Sequence, residues 1–107
     1  MFESEEKKDA KSTLEVYESK IEKFSSVVES MKNGDYNGDS DEIQATYDNL
    51  ATLEGNSLGM QIDLTKRGYK DLAEKAAGLY TQARRMKAIV ERTAEKEEVS
   101  LDDDPED

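Results

Sequence analysis

Cysteine, histidine and tryptophan are missing from this 107-residue chain, and proline occurs once. Without cysteine there is no disulfide, no thiolate nucleophile and no thiolate-held zinc. Without histidine the usual general base, the commonest metal ligand and the side chain that titrates near neutrality are absent together. No run approaches the roughly 18 apolar residues that a membrane-spanning helix needs. The opening segment, Met1 to Lys11, is charged and has no apolar secretory stretch, so the expected compartment is the cytoplasm. Large aliphatic residues are also scarce. Leu, Ile, Val and Phe number 19 of 107, under the roughly one-fifth below which a strongly charged chain tends to stay unfolded.

Charge is abundant and unevenly placed. The net charge is −11, yet residues 58–97 hold nine bases against six acids. Residues 33–57 hold six acids and no base, and residues 98–107 hold six acids with the single proline. That last stretch lacks any apolar period, and a disordered acidic tail over 98–107 is the expectation.

Periodicity argues for order elsewhere. Ala10, Leu14, Tyr17, Ile21, Phe24, Val28 and Met31 recur at alternating four- and three-residue steps, which places them on one stripe of a helix over about 5–32. Gly34 ends it, and the Asn/Gly/Asp-rich stretch that follows suits a turn. A second, short helix is expected over about 40–54, with Asp39 as cap, Glu42 completing a capping-box pattern, and Ile43, Tyr47, Leu50 and Leu53 on its apolar face. Gly55-Asn56 is the expected break. A third helix over about 58–97 then carries Leu58, Ile62, Thr65, Tyr69, Leu72, Ala76, Leu79, Ala83, Met86, Val90 and Thr93 at the same spacing. Gly68 and Gly78 lie inside it, where the helix either tolerates both or bends at one.

The fold class that follows is all-α: an antiparallel helical hairpin or three-helix bundle with coiled-coil-like seams, in one domain over 1–97. The predicted lengths are unequal, at roughly 40, 22 and 60 Å by the helical rise. Two shorter helices cannot cover the longest one, so part of its stripe should face water. Leu72, Ala76, Leu79, Ala83, Met86 and Val90 are therefore the expected protein interface, with a homo-oligomer or another protein chain as partner. Only a third helix folded back on itself would escape that reasoning.

Two other patterns point to specific chemistry. Asp35, Asn37, Asp39 and Asp41 alternate oxygen ligands between two helices, as calcium loops do. The run Gly34-Asp-Tyr-Asn-Gly-Asp39 resembles the start of a dockerin calcium loop, which would imply bound calcium. The resemblance ends after six residues, because Ser40 stands where a glycine belongs and Thr46 where the closing acid belongs. An acidic turn with an Asp cap is the plainer reading. The bases Lys66, Arg67, Lys70, Arg84, Arg85 and Lys87 would suit a phosphate backbone, with Tyr69 and Tyr80 stacking on unpaired bases. A solvated helix face is the plainer reading there, since the overall negative charge opposes binding to nucleic acid. The acidic segments raise a further alternative, a nucleic-acid mimic that occupies a basic protein partner.

No nucleophile motif is present, and with 26 acids any carboxylate pair can be picked, so none is informative. The expectation is a non-enzymatic interaction or assembly protein of adaptor, chaperone-like or accessory type. It would use no cofactor, small-molecule substrate or membrane.

Overall fold

In the computed structural model, residues 5–101 are described. They form three helices, α1 Glu5–Asn33, α2 Ser40–Arg67 and α3 Lys70–Lys96, and no strand. The all-α bundle is as expected, but its dimensions are not. The helices have 29, 28 and 27 residues. The second runs straight through Gly55-Asn56, and the break falls at Gly68.

Two physical facts place that break. Gly55 and Gly59 cost about 1 kcal/mol each inside a helix relative to Ala, but continuing the helix keeps Leu50, Leu53, Ser57 and Leu64 on one buried face. Gly68, by contrast, adopts φ +80, a left-handed backbone that side chains with a Cβ resist. There the Gly68 amide donates to the Thr65 carbonyl and the Tyr69 amide to the Leu64 carbonyl, at 3.1 and 3.0 Å. This Schellman arrangement uses carbonyls that the helix end leaves without partners. The same arrangement closes α1 at Gly34 and α3 at Glu98, whose φ of 58 makes it the one non-glycine residue in this conformation among the described residues.

Near-equal lengths let the three helices cover one another. α3 packs closely along α2, and α1 lies chiefly against α3. The core joins Leu14, Ile21 and Val28 of α1 to Ile43, Leu50 and Leu64 of α2 and to Ala76, Ala83 and Val90 of α3. Glu6–Arg67 at 2.7 Å and Glu18–Lys75 at 3.3 Å tie α1 to the hairpin from outside. Exposed pairs of this kind add little to stability, because water and salt screen them.

The tail expectation also shifts. Val99 and Leu101 pack against the core, and the Val99 amide donates to the Ala94 carbonyl at 2.8 Å, so order continues past residue 98. Residues 102–107, which hold most of the acidic run, lie outside the described residues.

Candidate interaction surface

The six residues expected to form the interface are inside the chain. Leu72, Ala76, Leu79, Ala83, Met86 and Val90 are 0–7% exposed, sealed by α1 and α2. The correction follows from the helix lengths: moving the break from residue 55 to residue 68 supplies a full-length α2 to cover α3. The front of the predicted stripe goes the other way. Leu58, Ile62 and Thr65 belong to α2 and point outward, with Leu58 38% and Ile62 49% exposed.

The basic residues do not share one face of one helix. Lys66 and Arg67 end α2 and Lys70 opens α3, whereas Arg84, Arg85 and Lys87 lie roughly 20 Å or more further along α3 by the helical rise. Two of the six serve the fold. Arg67 bridges Glu6 and Asp63, and those hydrogen bonds raise its affinity for its proton. Lys87 reaches Glu54 across the α2–α3 seam at 2.6 Å and lies over the Tyr47 ring. Tyr80 receives a hydrogen bond from Arg84 at 3.1 Å.

The Asp/Asn loop is used as a helix start. Asp39 Oδ1 accepts the Glu42 amide at 2.9 Å, capping α2. The carboxylate of Glu42 does not complete the capping box but accepts the Tyr36 hydroxyl at 2.7 Å. Gly38 lies beneath that bond, and a Cβ there would collide with Glu42 Oε1 and the Tyr36 ring. Partial burial, then the Glu42 carboxylate, push the Tyr36 phenol well above its ordinary pKa. Among the described residues no three Asp or Glu side chains are grouped closely enough to hold a metal ion, and of Asp35, Asn37, Asp39 and Asp41 it is Asp39 whose side chain is taken up by the helix start.

What sequence reasoning missed is the outer side of α2. From Ala51 to Ile62 the only charged residue is Glu54, and Lys87 already neutralises it. In the antiparallel hairpin this stretch lies beside Ala76–Ala83 of α3, which has no charge at all. Glu54 and Tyr80 border one open groove together with Arg84, Lys87 and Glu91, so the two uncharged stretches adjoin beside a charged end of the seam. Leu58 lies one turn beyond Glu54, and Ile62 one turn beyond Leu58. The signal was visible as a gap in charge, but its position on a common face needed the hairpin register. Val16 of α1, 50% exposed, is the only other large aliphatic residue this open among the described residues.

No helix among the described residues is long and apolar enough to cross a membrane. No family model, curated protein or solved structure matches this chain.

Proposed function

We propose that the protein is a non-enzymatic interaction protein that docks a protein partner on the uncharged band of its α2–α3 face. The supporting observation is that band itself: Leu58 and Ile62 stand exposed in a twelve-residue stretch with one neutralised charge, on a molecule with a net charge of −11. Covering it removes apolar surface from water at about 25 cal/mol per Å² without stripping water from an unpaired charge. The charged remainder of the surface disfavours indiscriminate association. A role as adaptor, assembly factor or chaperone-like protein is consistent with such a face, because binding there depends on surface complementarity alone.

The test compares the full chain with a Leu58→Glu/Ile62→Glu variant as immobilised bait in extract of the native host, read by quantitative mass spectrometry. The expected outcome is a protein enriched by the wild type and lost by the variant at unchanged helical signal. Equal capture by both would overturn the reading. So would enrichment of nucleic acid alone, released by raised salt, which would favour the basic residues of α3.

A further inference from the structure

Along the side of α2 opposite the core, Asp48, Thr52, Gly55, Gly59, Ile62 and Lys66 succeed one another at steps of 4, 3, 4, 3 and 4, and all six are exposed. This is the spacing of a helix–helix seam, here with no other helix among the described residues packed upon it. The row is symmetric about residue 57. Reversed upon itself, it sets Gly55 against Gly59, Thr52 against Ile62 and Asp48 against Lys66.

We infer that a second copy of this chain packs antiparallel on the first along this row. Reversal brings acid to base at both ends, whereas a parallel pair would set Asp48 against Asp48 and Lys66 against Lys66. The pairing closes with two-fold symmetry, so each contact occurs twice. Nothing lies within 4 Å of where a Cβ would sit on Gly55 or Gly59, and the absence of side chains there lets two helix axes approach to roughly 8 Å. Leu58 is one residue from the centre, on the flank that faces α3. The two-fold axis keeps both α3 helices on that flank, so the two Leu58 side chains meet beside it and lose the exposure each has alone. The centre of contact is also where like-charge repulsion between two −11 chains is weakest, because Glu54 is held by Lys87. The surface differs from Leu72–Val90, which is consumed by the fold.

The inference rests on the α2–α3 face being a docking surface. Its test is sedimentation of the full chain from low to high micromolar concentration at physiological salt. The wild type is expected to pass from monomer to dimer. Asp48→Lys and Lys66→Asp should each weaken the dimer about tenfold, the double exchange should restore it, and Ile62→Asp should weaken it about a hundredfold. Gly59→Leu supplies a variant that favours helix yet blocks the approach, giving a weaker dimer at an undiminished melting temperature. A monomer at every concentration, or a dimer indifferent to both single charge reversals, would overturn the pairing. The two readings fail separately. A monomer whose capture of another protein still requires Leu58 and Ile62 removes only the self-pairing. A face whose variants change neither sedimentation nor capture removes both.

Discussion

The apolar row of α3, Leu72 to Val90, and the outer row of α2, Asp48 to Lys66, step along their helices by the same 4, 3, 4, 3, 4. The first is covered by its own chain, and the second faces water. Spacing alone says that a row of side chains shares one side of a helix. It does not say what covers that side. The two rows differ in content. The α3 row is aliphatic throughout, with Ala76 and Ala83 admitting neighbours closely, and its burial stabilises the monomer. The α2 row is small and polar with one large aliphatic residue, too weak to hold a fold together but open to a specific contact.

Substitutions can break or sharpen that contrast. The largest effect is expected from Met86→Asp, which would bury a carboxylate in the core and cost about 3 kcal/mol or more. Chemical denaturation would reveal it as loss of the cooperative transition near room temperature. Had the α3 row been an external interface, the variant would instead remain folded. Next comes Gly68→Val, which forces a β-branched residue into a left-handed backbone at a cost of about 1–2 kcal/mol. A lowered midpoint at unchanged slope would show that the break, and hence the equal helix lengths, depends on this residue.

Gains of stability are expected between the two rows. Ser57 is fully buried and its Oγ has no hydrogen-bond partner, so Ser57→Ala should raise stability by about 1 kcal/mol. Gly55→Ala, on the exposed side where a Cβ meets nothing, should add roughly 0.5–1 kcal/mol. A loss at Gly55 would mean that the helix does not run through it. The smallest effect belongs to Ile62→Asp, within about 0.5 kcal/mol for the monomer. Its equality with wild type in denaturation, beside the deficit of Met86→Asp, would separate a surface row from a core row directly.

The helical class, α1 and its buried row, and the Asp39 cap were all legible in local order, because each depends on residues a few positions apart. The polar contacts of the seam were not. Lys87 and Glu54 are 33 residues apart, and nothing about either residue marks the other as its partner. The uncharged stretches 51–62 and 76–83 were likewise present as letters, but their adjacency depends on where the chain reverses.

The amino-acid order by itself determined that long amphipathic helices form, since apolar side chains repeat with the helical period and a chain with one proline has little to interrupt them. Only the packed structure decided which glycine turns the chain. Gly34, Gly55, Gly59 and Gly68 are alike in isolation. The choice goes to the position where reversal makes the helices equal in length, so that each apolar row finds a neighbour to exclude water and the outer row of α2 is left facing solvent.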